Sequence, residues 1–279
     1  MTIKEAITLF RYHQRSNLKP RTAQSYHSLL QKFETQFAER SFDSIGSDEI
    51  YQFLEGLTEN RCKSTRRLRY AQLKAFYNFL IDKCNLNMRN PCNAPLLSKT
   101  FKTPKQVDRR ILDREIVEEL IYNTNTLRDR LLVELQARCG LRIGETLKIK
   151  ASDISDRKLV LKEPKSGKES EVAFMPEQIA KRLHDYIQQE SLSPEDRIFP
   201  ICYSTARALI KKLGGRLKVI LSPHDLRRYS ATYASRNGVP LEIVSKVILR
   251  HQDLKTTQAY LGRVTESEAI RWMDVLHER

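Results

Sequence analysis

The 279-residue sequence contains no hydrophobic run that approaches the length of a membrane span. Its first residues, MTIKEAITLF, also lack the pattern of a secretory signal peptide. The five cysteines are odd in number and no two of them have CxxC spacing, so a disulfide framework and a zinc site are both disfavoured. These absences predict a cytoplasmic protein with reduced thiols and no membrane association.

Motifs for metal-dependent or nucleotide-dependent chemistry are missing as well. The sequence has neither an H-E-x-x-H nor a G-x-S-x-G pattern, and no paired carboxylates frame a metal site. The Gly214-Gly215 pair lies between Lys212 and Arg216 but lacks the Walker spacing, so we interpret it as a basic turn. We expect no metal and no cofactor.

Basic side chains are abundant. Lysine and arginine number 49 against 34 aspartates and glutamates, which gives a net charge of +15. The excess is +6 over residues 1–90, +4 over residues 91–112 and +5 over residues 113–279. Because the charge is spread along the chain, it favours a polyanionic partner, most simply nucleic acid. Two basic regions joined by a basic connector are typical of a clamp.

Hydrophobic periodicity predicts the organisation of the chain. Residues 1–90 read as four short amphipathic helices, which would form a small bundle. Residues 91–112 are rich in proline and basic residues, and we predict an extended linker there. Residues 113–279 combine helices with two alternating segments, RKLVLKE and ESEVAF, joined by a hairpin turn. The predicted fold is mainly α with a small β-sheet, divided into a helical N-terminal domain and a mixed α/β domain.

A set of two arginines, two histidines and a tyrosine suits attack on a phosphodiester without a metal. The arginines would neutralise charge in the transition state, and the tyrosine would supply an oxygen nucleophile. The histidines would orient groups or move protons near neutral pH. The members of this five-residue set are Arg142, His224, Arg227, His251 and Tyr260. His224 and Arg227 are three residues apart at a predicted helix N-terminus, where backbone N–H groups also favour an anion.

Two further candidate residues are also consistent with ordinary, non-functional roles. Glu145 lies three residues after Arg142 and could hold that arginine in place, although the pair is equally consistent with an ordinary salt bridge. Lys165 lies in the predicted hairpin turn, and by pattern alone a turn lysine is more often solvated than functional.

The order of these residues resembles the tyrosine recombinases, also called the phage integrase family. Arg142 in GLRIGE is similar to the first arginine of that family, and His224 and Arg227 in HDLRR are similar to its H-x-x-R box. LRHQDLKTTQAY, which ends at Tyr260, is similar to its L-G-H-x-x-x-x-T-T-x-x-Y box. Lys165 in KSGKESEV aligns with the lysine on the family's β-hairpin. The N-terminal helices are similar to its core-binding domain.

The sequence departs from the family pattern at two positions. Arg250 stands where the family commonly has glycine, and Arg228 stands where it often has histidine. Neither change removes a residue of the catalytic set. We expect no domain ahead of residue 1, and hence an Xer-like organisation without an arm-type DNA-binding domain.

The resemblance implies a site-specific DNA recombinase, or integrase, that cleaves and rejoins double-stranded DNA through a 3′-phosphotyrosyl intermediate. The tyrosine would attack, the lysine would protonate the leaving 5′-oxygen, and the first histidine would assist at the nucleophile. The other three residues would hold the scissile phosphate. The implied catalytic residues are Arg142, Lys165, His224, Arg227, His251 and Tyr260. The alternatives are a type IB topoisomerase-like enzyme without partner exchange and a non-catalytic DNA-binding relative.

The resemblance also implies an assembly. Residues 1–90 would be the core DNA-binding domain, residues 91–112 the linker and residues 113–279 the catalytic domain. A capped amphipathic helix is predicted at residues 265–277. Exchange of this helix between protomers would build a homotetramer on two DNA sites from a chain that is monomeric off DNA. Docking of the same helix on its own domain stays open, and accessory proteins are not specified.

Overall fold

A computed structural model describes residues 1–14, 17–102, 111–164, 169–261 and 270, and for residues 259 and 260 it describes the backbone alone. The chain divides into two compact units, Met1–Val107 and Asp108–Arg279. Within the described ranges, no helix is both long and apolar enough to cross a membrane. The predicted fold class, mainly α with a small β-sheet, is confirmed.

The first unit contains a helical bundle. Its long helices are α1 (Ile3–Gln14), α2 (Pro20–Phe37), α3 (Ser47–Thr58) and α4 (Lys63–Lys83). Helix α2 begins at Pro20 because the fixed φ of proline suits the first helical position, where its missing N–H is not needed. Each helix turns an apolar face inward, and aromatic rings fill the centre, where Phe33 and Phe76 are fully buried.

Most of residues 91–100, in the segment predicted to be extended, are helical. A 3₁₀ turn at Pro91–Asn93 is followed by α5 (Pro95–Thr100), and in both the proline occupies the first helical position. Three side chains of this stretch are buried in the core of the first unit, namely Cys92, Leu97 and Phe101. The prediction of an extended segment is therefore wrong up to residue 102, because these side chains are buried in the bundle.

The second unit combines helices with a three-stranded antiparallel sheet. Its helices are α6 (Arg114–Tyr122), α7 (Leu127–Ala137), α8 (Ile143–Thr146), α9 (Glu177–Gln189), α10 (Tyr203–Arg216), α11 (Pro223–Arg236), α12 (Leu241–Ile243) and α13 (Leu254–Leu261). Its strands are β1 (Ile154–Ser155), β2 (Lys158–Lys162) and β3 (Ser170–Phe174), in the order β1-β2-β3. Helix α7 packs against α6, α9 and α11 and is buried along most of its length.

The predicted hairpin is formed by β2 and β3, which pair from Lys158 opposite Phe174 to Lys162 opposite Ser170. The inward side chain of β2 at Leu159 is fully buried, as period-two alternation requires.

The Gly214-Gly215 pair lies inside α10, so its interpretation as a turn is wrong. A Cβ atom at Gly214 would lie 2.5 Å from the Val219 carbonyl oxygen and 2.9 Å from Leu221 Cβ. The glycine is needed because the chain that leaves α10 passes directly against the helix.

Candidate functional site

Arg142 lies at the N-terminus of α8, just after a sharp turn of the chain. Helix α7 ends at Ala137, and Gly140 reverses the backbone with a φ of +62°. Glu145 then accepts hydrogen bonds from Arg142 Nη1 at 2.6 Å and from the Arg142 backbone N–H at 3.2 Å. The Arg142 side chain is 19% exposed and that of Glu145 is 8% exposed. The arginine is thus oriented by a buried carboxylate but keeps access to solvent.

Gly140 is the point where the separate segments of the site meet. Its carbonyl oxygen accepts from Arg227 Nη1, and from Arg250 Nη2 at 3.4 Å. A Cβ atom at this position would lie 2.8 Å from Ile248 Cγ2 and 2.9 Å from the Ile248 carbonyl oxygen. Glycine is required here both for the positive φ and for this close approach.

Helix α11 presents its two predicted site residues differently. The helix begins at Pro223 after Ser222, whose N–H and hydroxyl donate to Asp225 Oδ2 at 2.8 Å and 2.6 Å. His224 is exposed on the first turn, whereas Arg227 is 1% exposed.

The guanidinium of Arg227 joins two distant segments of the site. It donates to the carbonyl oxygens of Gly140 and Leu249. These two residues precede Arg142 and His251, respectively, by two positions in the chain. Arg227 therefore brings the Arg142 segment and the His251 segment together.

His251 is held by a chain of hydroxyl groups. Its Nδ1 lies 3.0 Å from the Thr257 hydroxyl, which donates to Ser245 Oγ at 2.8 Å. The His251 backbone N–H donates to the Ser245 carbonyl oxygen at 2.9 Å. Thr257 and Ser245 are both buried. This arrangement fixes the orientation of the imidazole ring.

The same histidine is neutral at physiological pH. Burial lowers the pKa of His251 to about 4, and the positive charges of Arg227, Arg142 and Arg250 lower it in the same direction. The imidazole therefore lies within the field of all three guanidiniums. The structure thus brings Arg142, Arg227 and His251 together.

Tyr260 is carried by the same helix as Thr257, the hydrogen-bond partner of His251. Tyr260 belongs to α13, which packs against α11. The neighbouring Leu261 packs on a small cluster formed by Ala231, Val244 and Leu249. The Tyr260 side chain lies outside the described atoms.

Two other predictions also fall on residues that the structure does not describe. Lys165 lies between β2 and β3, among residues 165–168, which the structure does not describe. Of the predicted helix at residues 265–277, only Ile270 is described, and it is helical and exposed. The structure therefore does not test either prediction.

Sequence reasoning anticipated one supporting residue, Glu145, whose contact with Arg142 the structure shows, and missed others. Thr257 belongs to the recognised T-T pair, so its position was a usable signal, but its contact with His251 was not foreseen. Ser245 and Gly140 gave no comparable signal for their contacts. Within the described part of the chain, no group of three or more His, Cys, Asp or Glu side chains is arranged to hold a metal ion.

Comparisons with known proteins place this arrangement in context. Residues 110–266 match the model of the Phage integrase family, and residues 8–84 match the Phage integrase N-terminal SAM-like domain. The chain is 27% identical over 229 residues to a tyrosine recombinase of Pseudothermotoga lettingae, covering 78% of each chain. It is 28% identical over 255 residues to tyrosine recombinase XerD of Proteus mirabilis, covering 85% of this chain and 78% of that protein.

Solved structures share the fold. A lambda integrase dimer bound to a COC′ core site gives a TM-score of 0.76 at 17% identity, covering 95% of this chain and 98% of that chain. A lambda integrase tetramer bound to a Holliday junction gives a TM-score of 0.74 at 15% identity, covering 95% of this chain and 80% of that chain.

Proposed function

The chain belongs to the phage integrase family and is a tyrosine site-specific recombinase, and we propose that it cleaves and rejoins DNA through Tyr260. The family is the one that the sequence motifs predicted. The observation that carries the assignment of the site is the pair of hydrogen bonds from Arg227 to Gly140 and Leu249, which draws Arg142 and His251 together. Two guanidiniums and a neutral imidazole in one place suit a phosphodiester whose charge grows in the transition state.

The proposed reaction is a phosphoryl transfer to Tyr260. Its hydroxyl oxygen bonds to the scissile phosphorus as the bond to the 5′-oxygen breaks, and the tyrosine proton leaves with assistance from His224. Lys165 gives a proton to the departing 5′-oxygen, so a 3′-phosphotyrosine and a free 5′-hydroxyl result. A 5′-hydroxyl from a partner strand reverses these steps, and the phosphotyrosine bond conserves the energy needed for rejoining. Arg142, Arg227 and His251 hold the phosphate throughout.

The proposed partner is double-stranded DNA, bound by both units. Residues 1–90 and 113–279 are each net positive, as is the segment between them. We assign residues 1–90 as a core DNA-binding domain and 113–279 as the catalytic domain; the segment 91–112 connects them, and some of its side chains, as far as Phe101, also pack in the core of the first unit. Because lambda integrase forms a tetramer on a Holliday junction, the proposed active assembly here is a homotetramer on two sites that forms from monomers on DNA.

The test begins with a pool of nicked duplexes that contain a randomised stretch. Cleavage next to the nick releases a short 5′-hydroxyl fragment, so the protein stays covalently attached and its DNA can be recovered from a denaturing gel. Sequencing of the trapped DNA defines the cleaved site, and one such nicked duplex then serves as the suicide substrate. Tyr260→Phe removes one oxygen and hardly changes shape or charge, so we expect full DNA binding and no adduct.

An adduct of Tyr260→Phe at the wild-type yield would show that another residue is the nucleophile. A plasmid with two copies of the recovered site separates recombination from simple relaxation. Exchange of flanking sequences is the expected result, and relaxation without exchange would favour a topoisomerase-like activity.

A further inference from the structure

Arg250 has a backbone conformation that is unusual for a buried residue. Seven non-glycine residues of the described ranges have a positive φ, between 48° and 59°. Six of them are exposed: Asn60, Asn85, Asp156, Glu163, Ser191 and Lys218. Arg250, at a φ of 51°, is only 6% exposed. A positive φ is unfavourable for a residue with a Cβ atom, so other interactions must offset the strain.

The Arg250 side chain makes those interactions. Nη2 donates to Glu145 Oε2 at 3.0 Å, and Nη1 donates to the Ile248 carbonyl oxygen at 2.9 Å. Nε lies 3.6 Å from Glu171 Oε2 on strand β3. A glycine, which the family commonly has at this position, would suit the backbone but would make none of these contacts.

Glu145 is therefore a buried carboxylate shared by two arginines. Its Oε1 accepts from Arg142 Nη1, and its Oε2 accepts from Arg250 Nη2. Burial alone would raise the pKa of Glu145, but the charges of Arg142 and Arg250 lower it below its ordinary value. Arg250 holds one oxygen of this carboxylate, and the other oxygen stays directed at Arg142.

We propose that Arg250 is a positioning residue for DNA cleavage, because its guanidinium holds the carboxylate that orients Arg142. The inference rests on the roles proposed above for Arg142 and Tyr260. The ion pair of Arg250 with Glu171 extends the same restraint to β3, the strand that begins five residues after Lys165. One side chain thus links the first arginine of the site to the base of the hairpin.

The test compares Arg250→Lys, which keeps the charge, with Arg250→Gln, which removes it. Single-turnover cleavage of the suicide substrate, band-shift affinity and thermal unfolding are measured for each. We expect Arg250→Gln to cleave at least about tenfold more slowly than wild type, because misplacement of a phosphate-binding group is costly. DNA affinity should change little, and Arg250→Lys should recover most of the rate.

A matched control separates positioning from simple stabilisation. Arg182 on α9 also binds a buried carboxylate, donating to Glu134 at 2.8 Å and 3.2 Å. Arg182→Gln should lower thermal stability and leave the cleavage rate of the folded protein near that of wild type. The effect of Arg250→Gln should also be small in a Glu145→Gln background, because the carboxylate through which it acts is then absent.

The proposal is overturned if Arg250→Gln cleaves like wild type, or if folded Arg250→Lys is as slow as Arg250→Gln. Should Arg250→Gln fail to fold, the Glu145→Gln/Arg250→Gln variant replaces it, because both buried charges are then removed. A further tenfold loss of that variant relative to Glu145→Gln alone would also overturn the proposal. Absence of any adduct with wild-type protein would instead reject the proposed function.

Discussion

The Arg227 guanidinium donates to the carbonyl oxygen of Gly140, a residue 87 positions earlier in the chain. This contact is buried, and it attaches α11 to the segment that carries Arg142. Arg227 therefore has a structural part as well as a proposed part in catalysis. Arg142, with 19% of its side chain exposed, has a smaller structural part than Arg227.

Substitution of the two arginines by alanine should separate those parts. Arg142→Ala and Arg227→Ala should each slow cleavage of the suicide substrate by at least about a hundredfold, because each removes a transition-state donor. Arg227→Ala should also lower the free energy of unfolding by about 1–3 kcal/mol for each buried carbonyl that loses its donor. Band-shift affinity should fall far less. Cleavage within a few-fold of wild type would make that arginine purely structural.

Gly140→Ala should destabilise the second unit. The positive φ and the contacts of the new Cβ with Ile248 should cost on the order of 1–3 kcal/mol, measured by chemical unfolding. Gly144→Ala is the control, since that glycine lies in α8 and an added Cβ there would meet nothing within 4 Å. It should be neutral or stabilising by up to about 1 kcal/mol. Equal stability of the two variants would contradict a steric conflict between a Cβ atom at position 140 and Ile248.

The pH dependence of stability should report the environment of His251. Its pKa is about 4 in the folded chain, against an ordinary value of 6.5, so the unfolded chain binds more protons between these two values. Its contribution to stability is therefore present above about pH 6.5 and is lost as the pH falls towards 4. His251→Gln should weaken the pH dependence of the thermal unfolding midpoint across that range, measured without DNA. If the midpoint depended on pH equally in the two proteins, the pKa of His251 would not be lowered in the folded chain.

Lys165→Ala should lose cleavage of the ordinary suicide substrate. A substrate with a 5′-phosphorothiolate at the scissile position should restore the rate, because its leaving sulfur needs little protonation. Arg142→Ala should gain much less from the same substrate. Failure of the sulfur substrate to rescue Lys165→Ala would argue against this lysine as the acid.

Truncation after Arg263 should leave a folded protein that still binds one half-site. It should lose cooperative binding of the second protomer and lose recombination if residues 265–277 dock on a neighbour. Band-shift titration of a full site measures this directly. Unchanged cooperativity would mean that the segment packs on its own domain.

Much of the architecture could be predicted from local patterns. Ser222 and Pro223 marked the start of α11 because a cap and a first-turn proline act within one turn of helix. Alternation marked β2 and β3 because side chains of a strand point to opposite faces. The candidate catalytic residues were likewise recognisable, since their identity and order are properties of the chain itself.

Other features depended on contacts that no local pattern encodes. Leu97 and Phe101 were predicted to belong to a linker, because their burial depends on helices that are distant in the sequence. Gly214 was predicted to lie in a turn, but it lies in α10, where the Val219 carbonyl oxygen leaves no room for a Cβ atom.

The sequence by itself determined the family, the mainly helical fold and the residue types available for phosphoryl transfer. Only the tertiary structure decided which of these side chains are buried and what orients them. Arg250 and Glu145 are 105 residues apart, and their ion pair exists because α8 and the segment before His251 pack together. Hydrogen bonds of this kind follow from the packing of distant segments, whereas caps and periodicity follow from neighbours along the chain.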